Sequence, residues 1–391
     1  MRLFAVIMAL LIFSGCKKEN NGSNGNSPKQ PYSVDLTQSY SSASGNKNTM
    51  AIRVQSDGKI LVLGYQWFIR LQSDGVTIDN TFNPVSEIAS SAKVRSFELQ
   101  SDGKIIVFGS FVLSNGHTAI IRLNADGSID NSFNIPALNF NYSTAMGTRV
   151  EAVKILENGK MIVAGQFEFG SIPANNYGVD LARLNTDQSI DYSFSSPIDY
   201  GEPYGVTNIL PLANGNFLLA GYGAIQMKDD GLNHNLVRIT ADGIYDPTFV
   251  WNAANGSSVI VGDMKELPDG NILIGGSLDI MYENSILRIN SNGGIDNSFT
   301  NYGFNETLKS ALVLSDNRIF LGFNPNPNLP TQIKYLNLIS STGIIDTAFH
   351  LNFTNASVSC LVSLDDNTVL AGGNFTLNDK NYAIIRLKKS Q

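Results

Sequence analysis

The sequence predicts an all-β fold, a seven-bladed β-propeller of four-stranded antiparallel blades. Two observations carry this: a unit of about fifty residues recurs seven times along the 391 residues, and turn dipeptides cut every copy into runs too short for helices. A third observation concerns the ends of the chain. Six complete copies of the unit's last motif are present where seven are needed, and the missing piece lies at the N-terminus.

The first turn of each unit falls at Asp57-Gly58, Asp102-Gly103, Asn158-Gly159, Asn214-Gly215, Asp269-Gly270, Asp316-Asn317 and Asp366-Asn367. Such pairs supply the positive φ of a tight hairpin. Apolar runs such as 59–64 and 271–276 follow and read as buried strands. A second block then reads Arg, an aliphatic residue, a turn, Asp, two residues, Phe. Its Arg recurs at Arg70, Arg122, Arg183, Arg238, Arg288 and Arg386, with Leu338 in its place in the sixth copy. The Asp and Phe recur as Asp79 and Phe82, Asp130 and Phe133, Asp191 and Phe194, Asp246 and Phe249, Asp296 and Phe299, and Asp346 and Phe349. Each unit therefore offers four strands: one before the first turn, one after it, the Arg strand and the Asp-x-x-Phe strand.

The chain ends just after Arg386-Leu387, while Ser33-Val34-Asp35-Leu36-Thr37 resembles the Ser-Ile-Asp-Asn-Ser that precedes Phe133. The N-terminal strand is expected to complete the last blade and close the ring, which protects sheet edges from pairing with other chains. The domain reading is 1–15 signal peptide, 16–31 flexible tether and 32–391 propeller.

On these residues the chain resembles the delta-sixty repeat family, bacterial propellers of surface and secreted proteins with no assigned function. The resemblance rests on the QSDGKI run of the first two copies and the Arg-Leu-Asn-x-Asp-Gly-Ser-Ile-Asp-x-Ser-Phe block, and it covers nearly all of 33–388. It implies the fold and supplies no catalytic residue. Copies six and seven depart from it at Asn317, Asn367 and Leu338.

The N-terminus reads as an export signal: Met1-Arg2, an apolar run over 3–13, then Ser14-Gly15-Cys16. Eleven apolar residues fall short of the roughly 20 needed to cross a bilayer. Small residues before Cys16 resemble a bacterial lipobox, which makes Cys16 the lipidated first residue of the mature protein. The polar 17–28 segment is a tether with nothing to bury, and its Lys17-Lys18-Glu19 partly resembles the export tag of surface lipoproteins in the Bacteroidetes group. The expected location is the bacterial outer membrane, lipid-anchored and facing the cell surface. With Cys16 acylated, Cys360 has no intramolecular disulfide partner.

A net charge of −7 and a pI near 5.0 argue against nucleic acid, which needs a clustered basic surface. Asn124 to Asp130 has oxygen-bearing residues at alternate positions, but Arg122 stands where a calcium loop begins, so the block reads as a turn. His117, His234 and His350 lack metal-ligand spacing, and no metal or cofactor is expected. No nucleophile elbow or phosphate loop is present.

In a four-stranded blade the first and third connections share one face, and here they are the uniform turns. The opposite face carries the variable second connections (111–118, 168–180, 223–235, 279–284, 324–332, 376–381) and the links between units (among them 139–146, 197–204 and 251–257). Binding residues concentrate on such loops, and their aromatic and amide groups suit sugar rings or a protein partner. Tyr177, Tyr222 and Tyr282 are the candidate binding residues. The loop carboxylates Glu168, Asp180, Glu202, Asp229, Asp230, Asp279 and Glu283 are the candidates for acid and base chemistry. The function expected is a monomeric, non-catalytic binding module for a glycan or protein. The alternatives are an extracellular glycan-active hydrolase or lyase and a purely structural envelope protein.

Overall fold

The computed structural model describes residues 30–41, 48–91, 93–114, 116, 118–135, 138–139, 149–169, 181–201, 205–251, 260–280, 283–300, 302–304, 307–324 and 335–390. The signal, most of the tether, Cys16, Tyr177 and Tyr282 lie outside them. The described chain is all-β apart from two single-turn helices, and it is built of antiparallel sheets, most of them of two to four strands, with the fourth and fifth units joined in one of eight through Tyr222 and Ile260.

Each repeat folds as three antiparallel strands with the second in the middle. The first unit is Thr49–Val54, Ile60–Gly64 and Trp67–Leu71. The second is Val94–Leu99, Ile105–Val112 and Thr118–Leu123, and the third is Arg149–Ile155, Met161–Gln166 and Leu181–Leu184. The fourth is Val206–Pro211, Phe217–Met227 and Asn233–Ile239, and the fifth is Ile260–Glu266, Ile272–Ile280 and Glu283–Ile289. The sixth is Thr307–Val313, Ile319–Asn324 and Leu336–Ile339. The seventh, Asn355–Asp365, Thr368–Leu377 and Lys380–Lys389, gains a fourth strand from the N-terminus, Tyr32–Val34, with Tyr32 opposite Lys389 and Val34 opposite Leu387.

The fourth strand expected in every unit is reduced in the other six to a single bridge, such as Leu123 to Ile129 or Ile289 to Ile295. The cause is the Asp of the Asp-x-x-Phe block. Asp191 Oδ1 accepts from Ser193 N and Oγ at 3.1 and 2.6 Å, and Phe194 N donates to Asp191 O at 3.0 Å. The chain turns where a strand would continue, because a short carboxylate offers the backbone a local partner.

Two variable connections are also shorter than expected. The loop at 376–381 is a two-residue hairpin with Asn378 and Asp379 at φ 50° and 58°, the paired positive values of a primed turn. In 223–235 the strand continues to Met227. Tips of these hairpins pair with the links between units: Ile198–Gly201 lies against 225–227, and Tyr302–Phe304 against 284–286. Among the seven first turns, Asn317 adopts φ 63° in place of glycine, whereas Asn367 does without a positive φ.

Burial is organised between units. One hydrophobic cluster joins the first and second units through Phe68, Phe82, Phe97 and Val107. Similar clusters join every consecutive pair to the seventh. A last one packs Ile52, Ile60 and Val62 of the first unit against Cys360, Leu370 and Ile384 of the seventh. Each fully buried Ile, Leu or Phe contributes about 1.5–3 kcal/mol, so most of the stabilisation lies in the contacts between neighbours.

A polar fastening repeats on top of this packing. In the third unit Arg183 Nε donates to Asp191 at 2.6 Å and Nη2 to Ser193 at 3.0 Å, while the guanidinium stacks on Phe194 with its carbon 5.0 Å from the ring centre. Its Nη1 then donates to the carbonyl of Ala241 in the next unit's turn. Arg70 reaches Ala125 O at 2.5 Å, Arg288 reaches Ser341 O at 2.7 Å, and Arg238 reaches Ser291 O. Arg386 of the seventh unit reaches Asp74 O of the first at 3.1 Å. Five of the six recurrent arginines thus bind a carbonyl of another unit, among the described residues. The recurrent Arg and Asp are therefore paired within units, and the same guanidinium ties one unit to the next.

The glycine of this second turn is fixed by that approach. At Gly243 φ is +86°, and a Cβ would fall 2.3 Å from Ser195 O of the preceding unit. At the first-turn Gly215, φ is +84° with no atom within 4 Å. Gly243→Ala should cost about 2–3 kcal/mol in urea unfolding, whereas Gly215→Asn, which tolerates the left-handed region, should cost about 0.5 kcal/mol or less.

The fastening also sets acid sensitivity. Hydrogen bonds from Lys160, Ser193 and Arg183 hold the Asp191 carboxyl far below the ordinary range, and Lys104, Ser132 and Arg122 do the same for Asp130. A depressed folded-state pKa gives stability that is complete above the unfolded carboxylate pKa near 4 and is lost as the pH falls through the lower folded value. The melting temperature should therefore hold from pH 7 to about 4.5 and drop steeply below pH 4. Asp191→Asn should lower it at pH 7 and make the acid descent shallower.

Candidate functional site

The first strand of every unit carries a register shift at an equivalent place against its neighbour, with a second at Ser363/Asp365 in the seventh, and the equivalent shifts leave one first-strand residue each unpaired: Met50, Arg95, Glu151, Thr207, Gly262, Lys309 and Ser359. A bulge bends the strand and re-aims the extra residue. All seven line one cavity of about 650 Å³. Bulges lie near the start of each first strand, where the link from the preceding unit enters, so the cavity belongs to the variable end. The uniform turns occupy the other end, where a Cβ added at Gly58 would lie 3.4 Å from Ser73 Cβ of the third connection.

Charged residues dominate the polar part of the wall. Arg53 donates to Glu98 at 3.0 and 3.2 Å, and Lys154 reaches the same carboxylate at 3.2 Å. Arg95 pairs with Glu151 at 3.1 Å, and Arg149 lies 3.2 Å from it. Asp263 pairs with Lys265 at 3.2 Å and accepts the Ala311 amide at 2.7 Å. Burial opposes the charge on Glu98, yet Arg53 and Lys154 hold its carboxyl below the ordinary range. It is ionised near neutral pH and suited to fixing cations rather than to donating a proton.

Lys309 differs from the other cations. Burial, and then the charge of Arg95, pull its pKa below that of an ordinary lysine, with no carboxylate acting in the opposite direction.

Of the binding residues expected from the sequence, Tyr222 stands on Phe217–Met227 opposite Ile260 of the next unit, and Tyr177 and Tyr282 are outside the described residues. The loop carboxylates form no pair in the cavity among the described residues. Asp230 instead accepts the Leu232 amide at 2.8 Å and His234 Nε2 lies 3.0 Å from it. Asp126, in the block with the look of a calcium loop, accepts from Ser128 N and Oγ at 2.9 and 2.7 Å. No cluster of three His, Cys, Asp or Glu suited to a metal exists among the described residues. No helix among them is long and apolar enough to cross a membrane.

Sequence reasoning passed over the cavity. The available signal was charge inside first strands that are otherwise apolar, as in Arg53, Glu98, Lys154 and Lys265.

Four segments, 55–82, 100–133, 156–194 and 267–299, match the model of a β-propeller domain of unknown function, DUF5122. No curated protein matches the sequence. Among solved structures, virginiamycin B lyase from Staphylococcus aureus aligns with a TM-score of 0.57 at 13% identity over 92% of this chain and 100% of that one. The extracellular domain of a putative one-component system from B. thetaiotaomicron aligns at 0.56 and 12% over 89% of this chain, which spans 39% of that longer chain. PorZ, a surface component of the type-IX secretion system of Porphyromonas gingivalis, aligns at 0.54 and 13% over 88% of this chain and 47% of that one. At these identities the likeness concerns the fold alone. Matched repeats, antiparallel sheets and structural likeness agree on an all-β chain with a propeller-like fold.

Proposed function

We propose that the seven units close into one propeller ring of the delta-sixty type, held to the bacterial outer membrane by a lipid on Cys16 and displayed at the cell surface. In this reading the domain is a monomeric, non-catalytic binding module for a glycan or protein partner, with its site at the mouth of the cavity and the variable face around it. The observation that carries the reading is the cavity wall, where each unit contributes one bulged residue and the residues differ from unit to unit. A wall built this way varies its side chains without disturbing the strands, which is how a rigid scaffold presents a binding surface. Ring closure is supported by the pairing of Tyr32–Val34 with the last strand, by the core shared between first and seventh units, and by the contact of Arg386 with Asp74. Ion-paired carboxylates in the wall favour binding over acid–base catalysis.

The full chain, screened on a glycan array and in pulldowns from cell-surface extract, should retain a ligand, and Tyr177→Ala, Tyr222→Ala and Tyr282→Ala together should weaken it at least tenfold. Retention of nothing by the parent chain contradicts a binding role, and turnover of a retained glycan contradicts a non-catalytic one. Cys16→Ser should move the protein from the membrane fraction to the soluble fraction.

A further inference from the structure

The whole chain carries a net charge of −7, yet the wall of the cavity holds five lysine and arginine side chains against three carboxylates. The three carboxylates are consumed by neighbours: Glu98 by Arg53 and Lys154, Glu151 by Arg95, and Asp263 by Lys265 and a backbone amide. Lys309 is left over. It stands at the bulge of the sixth unit, lines the cavity together with Arg95, and has no acidic partner among the described residues. Arg95 is itself half exposed, bound to Glu151 through Nε, which leaves its remaining donors available for a second acceptor. Two cations facing one enclosed volume repel each other, and an anion between them relieves that repulsion. A cleft with low-dielectric walls strengthens the attraction.

The rest of the bulge ring limits what the anion is attached to. Thr207, Ser359 and Met50 are uncharged, Gly262 leaves room, and no bulged position is aromatic. Hydroxyl groups beside two cations match a ligand that carries hydroxyls beside a negative group, and a volume of about 650 Å³ holds one or two such rings.

We infer that the cavity is an anion subsite in which Lys309 and Arg95 hold the carboxylate of an acidic sugar of the uronic acid class, while Thr207 and Ser359 face its hydroxyls. The inference rests on the reading of the cavity as a binding site and adds the ligand's charge and chemical class.

The test is calorimetric titration of the full chain with a glucuronate disaccharide, its neutral glucose counterpart and inorganic phosphate. The acidic sugar should bind at least tenfold more tightly than either of the others. Lys309→Met should abolish that preference, Lys309→Arg should keep it, and Lys59→Met, at the opposite end of the molecule, should leave it unchanged. Arg95→Gln should weaken acidic-sugar binding at least fivefold with an unaltered melting temperature.

Equal binding of the neutral sugar overturns the charge assignment and leaves the cavity as a binding site. Equal binding of phosphate overturns the sugar assignment. No binding of any of the three probes, together with a ligand found at the variable face, overturns the inference alone.

Discussion

The structure depends on one side chain used repeatedly, the arginine on the third strand of six of the seven units. In the first, third, fourth and fifth units its guanidinium does three things at once: it pairs with the Asp that turns the chain, stacks on the Phe that directly follows the turn's Ser or Thr, and donates to a carbonyl of the neighbouring unit. A planar fork with five donors can make these contacts together, and an ammonium cannot. The partners are shielded, and charge-assisted bonds of this kind are among the stronger ones available. Breaking one partner would leave a buried charge alone, so the fastening resists piecemeal loss.

This fastening divides the molecule into a conservative end and a free one. Second-turn glycines at Gly127, Gly243, Gly293 and Gly343 sit against the backbone of the preceding unit, so the turn face has little latitude. At the other end, hairpins differ in length and pair with whichever link passes them. The cavity opens on that side, and its bulged residues can change without touching the fastening. The sixth unit shows that the scheme tolerates a substitution. Leu338 replaces the arginine, and Arg318, just before the adjacent strand Ile319–Asn324, comes within 3.8 Å of Asp346 while stacking over Tyr32 at 5.7 Å.

The turns, the Arg strand and the Asp and Phe positions were legible because backbone geometry and burial restrict the residues there to a few types. The N-terminal strand was legible for the same reason, through its likeness to the end of a unit. The collapse of the fourth strand was not, because Asp79 or Asp130 beside a β-branched or aromatic residue reads equally as strand or turn, and the arginine's demand for that carboxylate decides it. The cavity was invisible as a group: Met50, Arg95, Glu151, Thr207, Gly262, Lys309 and Ser359 share no chemistry, only a place in the strand register. Choosing tyrosines by loop composition passed over the wall.

The central claim is that contacts between neighbours run unbroken from the first unit through the seventh and back. Two tryptophans report on it, Trp67 in the first unit beside Tyr40, and Trp251 packed against the core shared by the fourth and fifth units. Urea unfolding of single-tryptophan variants with and without residues 30–41 tests the claim directly. In a continuous ring, removing the N-terminal strand lowers the midpoint seen by Trp251 as much as that seen by Trp67, with coincident transitions. A shift confined to Trp67, with Trp251 unfolding as before, would describe an open array whose ends act independently and would contradict the account.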